Sequence, residues 1–476
     1  MSSADITFNS IPDSTRTPGK YFEYDTSGAV NTLPGNPYSL LMIGQRTVSG
    51  TVAADVPTQV FSDVDAATYF GEGSIAHMMA VAALKANPYI DLIIIALDDD
   101  AAGVASVGSL LLTGPATANG AISIAIANQA VNLAVDSADT AAAIATALVA
   151  AIANQPQLPV IATVDAQTPG KINFTAKNKG AASNAISLAF TSQTAGVTGT
   201  VTAMSGGLND PDIANALATV FGASYKMYAT AYSTQASLLE LNAHLDSISG
   251  PLEQRWATGY AGWVGTYAQG TTLAAAINGG RVSIAWHNGS MMTPWEVAAG
   301  YASEIATEQD PAMPLDTLPI AGLDATPASA WPSKTEIELA LWNGLTPLKV
   351  GAGSVVQIVR AISTYLVNAT GVADPSLLDI TTIRTMDYSA LAWKTRMELR
   401  FPRAKNNDKT ATKVRSELLD VAYELQTAEI IENVDTYKAN MLVEQDLQDA
   451  TALDASIPCN VVPGLHVFKA KINLIL

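Results

Sequence analysis

Between Pro37 and Asp98 the chain spells out a strand, a helix and a second strand, an order that few folds accommodate. Tyr38–Gly44 is a continuous apolar run bounded by Pro37 and by the polar Gln45 and Arg46. Such a run suits a strand buried on both faces. Ser74 then precedes Ile75–Leu84, where Ile75, Met78, Met79, Ala82 and Ala83 recur three or four apart in one apolar stripe that Asn87 and Pro88 stop. Tyr89–Leu97 returns as a second buried strand. Parallel strands need a crossover of this length, so the body is expected to be α/β with parallel pairing.

The alternation resumes downstream. Helices are expected at Asp212–Phe221, Thr234–Ser247, from near Thr271, at Thr293–Ala306 and at Lys334–Asn343. Strands are expected at Tyr225–Ala231, Trp256–Val264, Arg281–Trp286, Leu348–Val350 and Val355–Ile362. Pro311, Pro314, Pro319, Pro327 and Pro332 crowd Asp310–Pro332, which reads as a long ordered loop. Between the two α/β stretches, Val104–Gly206 has only Asp136, Asp139, Asp165, Lys171, Lys177 and Lys179 as charged residues. Alternating runs at Ala121–Ala127, Ala130–Val135, Pro159–Val164, Lys171–Ala176 and Ala185–Thr191 surround one Ala-rich helix, Thr140–Asn154. That pattern reads as an inserted β-rich domain, too apolar for disorder.

At 476 residues the chain exceeds the usual domain of about 100–200 residues. The expected fold class is mixed α/β (α+β) and multidomain, with terminal strand-exchange arms. Residues 1–20 would be an N-terminal arm, 21–103 with 207–355 a discontinuous α/β core, and 104–206 the inserted β-rich outer domain. Residues 356–476 would be a C-terminal inner domain ending in a donated strand, 467–476.

Both ends look adhesive. In Val467–Leu476, Phe468, Ala470, Ile472, Leu474 and Leu476 share one parity while Lys469, Lys471 and Asn473 share the other, so the stretch reads as a strand. Pro458, Pro463 and Gly464 separate it from what precedes, and no hairpin dipeptide folds it back. Ile6, Phe8 and Ile11 belong to a second short β-like run, isolated by Pro12 and by Pro18-Gly19. A free strand edge is a hazard unless another strand pairs with it. Each end is therefore expected to join a sheet elsewhere.

Charge and motifs exclude more than they assign. Lys plus Arg total 25 against 43 Asp plus Glu, a balance of −18, so phosphate backbones would repel the chain and no nucleic-acid binding is expected. Wholly apolar runs such as Leu92–Leu97 fall far short of the roughly 20 residues of a spanning helix, so no membrane insertion is expected. Met1–Asp5 has neither the basic start nor the apolar core of a signal peptide, and the single Cys459 fits a reducing compartment, so the chain reads as made and kept in a cytoplasm.

Gly71-Glu72-Gly73-Ser74-Ile75-Ala76 has the form of a dinucleotide fingerprint, with Asp91 where a ribose-binding acid could fall. Asp63–Phe70 before it reads as a helical turn instead of the required strand, which favours a Gly-rich turn with Ser74 as N-cap. Asp98-Asp99-Asp100 ends a buried strand where α/β enzymes place metal carboxylates, or else marks a solvated domain junction. His77, His244, His287 and His466 lie too far apart for a zinc motif, and no GxSxG elbow occurs. No catalytic residue, metal site or cofactor site is expected. Arg384, Lys394, Arg396, Arg400, Arg403, Lys405, Lys409, Lys413 and Arg415 face only Asp387, Glu398 and Asp408 within one stretch. That stretch is either a solvated face or an electrostatic docking surface for an acidic protein. In the helix that follows, Val414, Leu418, Val421 and Leu425 form one apolar face.

Several segments, taken in order, resemble the tail sheath subunits of contractile phage tails, especially the Mu-like branch. They are Pro37–Gln45, Phe70–Ser74 with the Asn87-Pro88 helix stop, Thr140-Ala141-Ala142 followed by Leu158-Pro159-Val160, and Phe174–Gly180. Asp310–Leu315, Arg360–Tyr365 and Leu442–Asp446 continue the series. One departure is Ala450-Thr451-Ala452-Leu453-Asp454, where Mu-like sheaths tend to carry an Arg before Leu-Asp, so no role is transferred to that position. The resemblance implies a structural protein and no enzyme: hexameric rings in a helical stack around a tail tube, contracting to drive the tube into the host envelope. Its partners would be itself, the tail tube protein, and baseplate and tail terminator proteins, in a virion assembled in the host cytoplasm. Terminal arms carrying Ile6, Phe8, Ile11, Phe468, Ile472, Leu474 and Leu476 would add strands to neighbouring subunits. The inner, C-terminal part would touch the tube, making Lys405, Lys409, Lys413 and Arg415 the candidates for that contact, and residues 104–206 would decorate the outside. The competing readings are an α/β hydrolase or nucleotide-binding enzyme using Asp98, Asp99 and Asp100, and a β-rich surface adhesin.

Overall fold

The computed structural model describes residues 11, 15–23 and 33–475. The chain forms two compact units, one of Asn36–Tyr388 with Val461–Leu476, the other of Met1–Gly35 with Ser389–Asn460.

The larger unit opens with β1 (Ser39–Gln45), β2 (Pro57–Val60), α1 (Asp63–Phe70), α2 (Ile75–Ala86) and β3 (Asp91–Leu97). The charge-poor segment supplies β4 (Val107–Thr113), β5 (Gly120–Ile126), β6 (Gln129–Val135), α3 (Ala141–Ala153), β7 (Val160–Val164), β8 (Lys171–Ala176), β9 (Leu188–Ser192) and β10 (Thr198–Ser205). There follow α4 (Ala214–Thr219), β11 (Met227–Thr230), α5 (Gln235–Ile248), β12 (Thr258–Trp263), α6 (Tyr267–Ile277), β13 (Val282–Trp286), α7 (Pro294–Ile305), α8 (Lys334–Trp342), β14 (Thr346–Val350) and β15 (Val356–Ile358).

An eight-stranded sheet in the order β15-β14-β13-β12-β11-β1-β3-β2 is the spine of this unit. From β14 to β3 every pairing is parallel, and the antiparallel β15 and β2 close the two edges. The continuous apolar runs become the central strands because helices cover both faces: Leu40, Leu41, Met42 and Ile43 are wholly buried. Helix starts follow local chemistry. The Ser74 hydroxyl accepts from His77 N–H and opens α2, while Thr293 with Glu296 and Ser333 with Glu336 form capping boxes on α7 and α8. Helices α2 and α7 are cross-tied where Ser303 Oγ donates to the Ala83 carbonyl at 2.8 Å.

The charge-poor segment folds into two antiparallel sheets, β10-β4-β8-β7 and β6-β5-β9. It leaves and re-enters the rest of the unit through one bridge, Val104 to Leu208, with reciprocal N–H···O distances of 2.9 and 3.1 Å.

Helix α9 (Ile380–Arg400) starts in the larger unit and ends in the smaller, an element the sequence reading leaves out. In the smaller unit α10 (Asp408–Thr427) buries Leu418, Val421 and Leu425, the face its periodicity marks. Short α11 (Val434–Tyr437) leads into an unanticipated antiparallel hairpin, β16 (Leu442–Gln445) with β17 (Leu453–Ser456). The strand expected at Val355–Ile362 shortens to β15. The strand expected at Val467–Leu476 is absent from Val467–Ile475, which pairs with nothing among the described residues. The physical reason is that a strand exists only in a ladder, and this segment has no ladder partner among the described residues.

Candidate assembly surfaces

In an open α/β sheet the default ligand site is the crevice where crossovers diverge, here between β1 and β11 beyond their C-terminal ends. That crevice is filled by the chain itself. Gln45, at the end of β1 and wholly buried, donates through Nε2 to Asp99 Oδ1 and to the Lys179 carbonyl, both at 2.7 Å. Asn178 donates to Asp99 Oδ1 at 3.1 Å and to the Arg46 carbonyl at 2.8 Å. Asp98 instead receives Arg46 Nε at 2.7 Å, and Asp100 accepts from Ala102 N–H at 2.7 Å. The three acids thus perform three different ties at a junction and converge on no ion. Among the described residues no group of three His, Cys, Asp or Glu side chains is placed to hold a metal.

The Gly-rich turn is sealed as well. α1 is the helix expected before it, and the N-terminus of α2, where a phosphate would sit, is occupied: Ile75 N–H donates to Asn178 Oδ1 at 3.1 Å. Gly73 N–H donates to His77 Nδ1 at 3.0 Å, and His77 Nε2 meets Asp63 Oδ1 at 2.6 Å. A Cβ at Gly73, where φ is +73°, would collide with the Leu158 carbonyl oxygen. The charge-poor segment therefore plugs both places where an enzyme of this class would bind a nucleotide.

The C-terminal segment leaves apolar side chains exposed. Every residue from Val467 to Ile475 is exposed, and Phe468, Ile472, Leu474 and Ile475 each show at least 83% of their surface. Ile6, Phe8 and Leu476 lie outside the described residues. Ile11 is half-buried, its N–H directed to Glu23 Oε2 at 3.4 Å. The hairpin offers a second adhesive feature, since β16 and β17 pair only with each other among the described residues.

The basic stretch separates into two populations. Arg384, Arg396 and Arg400 are internal. Arg384 stacks over the Tyr38 ring and donates to the Glu308 carbonyl. Arg396, only 5% exposed, reaches Glu417, Asp420 and Glu424 at 3.2, 2.7 and 2.8 Å; burial works against its charge, but its three carboxylate partners win and hold its pKa above the usual guanidinium range. Arg415 is half spent, donating to the carbonyls of Met441 and Lys438 at 2.8 and 3.0 Å and so fixing α10 to the approach of β16. Lys405, Lys409 and Lys413 are exposed and make no ion pair among the described residues.

Known proteins resemble the chain over most of its length. The family model for the phage tail sheath protein central domain matches residues 206–364, and that for the phage tail sheath C-terminal domain matches residues 372–475. A Mu-like prophage FluMu tail sheath protein from Haemophilus influenzae is 31% identical over 490 residues, covering 99% of this chain and 100% of that protein. The crystal structure of a sheath tail protein from Desulfitobacterium hafniense has a TM-score of 0.53 at 14% identity, covering 94% of this chain and 97% of the other. One from Listeria innocua has a TM-score of 0.51 at 14% identity, covering 92% and 94%.

Proposed function

The chain belongs to the phage tail sheath proteins, and on that premise we propose that it polymerises as stacked hexameric rings around a tail tube, linked by exchanged terminal strands, and contracts to drive the tube into a host envelope. At the level of the family it is a tail sheath protein of a phage or of a contractile injection system, with a structural role. The observation that carries the finer reading is Val467–Ile475: nine consecutive exposed residues, alternating apolar and polar from Phe468 to Leu474, with no ladder partner among the described residues. Added to another copy's sheet, such a segment gains main-chain bonds for affinity and pockets for every second side chain. Donation from one copy to the next is heterologous, so it propagates along a helix instead of closing a dimer. A joint made this way survives rotation of the bodies it links. The force for contraction would then come from a metastable extended packing released at the baseplate.

The two-stranded β16–β17 ladder suits the receiving role, since an isolated hairpin is marginal and gains stability from further strands. Ile6, Phe8 and Ile11 would form the second arm. The working partition keeps residues 21–103 with 207–355 as core, 104–206 as outer decoration and 356–476 as inner domain facing the tube. Lys405, Lys409 and Lys413 are the proposed tube contacts, with Arg415 supporting the helix that carries two of them. Tube, baseplate and terminator proteins are the partners, in a virion assembled in the host cytoplasm. Removing residues 467–476 is expected to leave a folded chain that no longer forms tubes by negative-stain microscopy. Tubes of normal length from the truncated chain would refute the arm.

A further inference from the structure

Helix α8, the run after β15 and the loop leading to α9 enclose an apolar groove of about 750 Å³. Ile337, Leu341, Trp342, Leu366, Val367 and Leu378 line it. Trp342 is 73% exposed, its Nε1 steadied by Glu338 Oε1 at 3.2 Å. An open apolar concavity of this size with a largely exposed Trp is where buried anchors of an interface are usually found. Much of its charged rim is already committed: Arg360 is clamped to Asp379 by two bonds of 2.7 Å, and Asp374 accepts from Tyr365 Oη and Ser376 N–H at 2.9 Å each. A small charged ligand would find few free groups there, whereas an apolar protein surface would find a floor.

The C-terminal tail names the occupant. His466 and Val467 form one end of the groove, and the imidazole lies 3.7 Å from Asp316 and 3.8 Å from Asp379, so the root of the tail is seated against the groove wall. Beyond that root, Phe468–Ile475 is eight residues long and reaches at most about 28 Å when extended. It contains no Gly or Pro, and its turn-favouring residue, Asn473, lies near its far end, which disfavours doubling back onto its own groove. Any copy that takes up Phe468–Ile475 must stand within that reach of Val467, beside the end of the groove that Val467 forms. We propose that the groove is a subunit interface, covered by the same second copy that receives the C-terminal arm. This rests on the strand-exchange reading and adds the body contact the arm brings about. Once the arm is bound, closure of the groove contact is an intramolecular step at high effective concentration, so a weak apolar contact suffices.

The test uses the full-length chain with Trp342→Cys in a Cys459→Ser background, labelled with a water-soluble maleimide before and after assembly into tubes. Residue 342 is expected to react at least tenfold more slowly in the tubes than in the unassembled chain. Equal rates would overturn the proposal, as would protection already present before assembly, which would mean that the chain's own tail fills the groove. The same measurement without residues 467–476 separates the two ideas. Tubes that require the arm but leave residue 342 reactive would sink the groove alone. Protection of residue 342 in tubes that form without the arm would show an interface unrelated to it and would overturn the link. As a second arm of the test, Trp342→Glu on the exposed helix face is expected to leave the melting temperature unchanged while reducing tube yield at least tenfold; unreduced yield would count against the proposal.

Discussion

Glu296 shows how a single buried acid sets a condition on the whole fold. It sits in the first turn of α7, where Thr293 donates to its Oε2 through N–H at 3.0 Å and through Oγ1 at 2.7 Å. Burial, the dominant influence, pushes its carboxyl up to about 7, against which those two bonds work; Glu304 on the same helix is likewise pushed by burial to about 7. The unfolded chain releases these protons near the ordinary value of 4.5. Between about 4.5 and about 7 the folded state therefore holds protons that the unfolded state has lost, so stability falls as pH rises through this window and levels off above it. Each such acid costs up to about 3 kcal/mol at pH 8. Glu296→Gln keeps an oxygen for Thr293 and removes the titration. Thermal melts are expected to coincide with wild type at pH 5 and to lie several degrees higher at pH 8; parallel pH profiles for the two proteins would contradict this.

Among the elements, the charge-poor segment is the one whose removal the topology permits. Its ends meet at the Val104–Leu208 bridge, so replacing residues 105–207 by a short Gly/Ser linker demands no rearrangement of the eight-stranded sheet. What is lost is Asn178, which accepts from Ile75 N–H and supports Asp99, the Lys179 carbonyl that accepts from buried Gln45, the bond from Lys177 Nζ to the Glu72 carbonyl, and the bond from Ser187 Oγ to the Met291 carbonyl. The loss of one such bond alone is worth about 1 kcal/mol. The shortened chain is expected to fold with a single cooperative melt a few degrees below wild type by calorimetry, and an unfolded product would show that the segment is part of the core. Legibility followed the same physics. Strands buried on both faces, and helices with an apolar stripe and a Ser or Thr cap, could be read from the residues alone. β2, β4 and β10 could not, because four residues starting at a proline, or a run of Thr and Gly such as Thr198–Ser205, carry no strong period; Gly199 is needed there because a Cβ would strike the Phe190 ring. α9 was hidden for another reason: Arg384, Thr385 and Arg396 are buried on it through hydrogen bonds and ion pairs, which interrupts the apolar stripe of Ile380, Ile383, Tyr388 and Ala392. The β16–β17 hairpin lacks a two-residue turn signal, its loop being held by Asp446, which accepts from Gln448 and Asp449 N–H at 2.6 and 2.8 Å. Of the candidate contact residues, the internal use of Arg415 was invisible because its partners are main-chain carbonyls.

On the scale of the whole molecule, a chain of net charge −18 sets three exposed lysines, Lys405, Lys409 and Lys413, within one short stretch. Lys409 is the second residue of α10, where a positive charge opposes the helix dipole at a cost of about 0.3–1 kcal/mol. Lys405 and Lys413 are exposed close to it in sequence, while Arg396 is consumed by Glu417, Asp420 and Glu424. A cation placed where it weakens its own helix is consistent with the proposed tube contact. Exposed pairs across an interface contribute about 0.2–1 kcal/mol each, so three together set affinity to within roughly tenfold and give it a salt dependence. Changing Lys405, Lys409 and Lys413 together to Glu is expected to leave the melting temperature of the isolated chain unchanged or slightly raised. Co-sedimentation with purified tail tube should weaken about tenfold at low salt, and the difference from wild type should shrink as salt is added and screening takes over. Binding that is unaltered at low salt would move the tube contact elsewhere on the subunit.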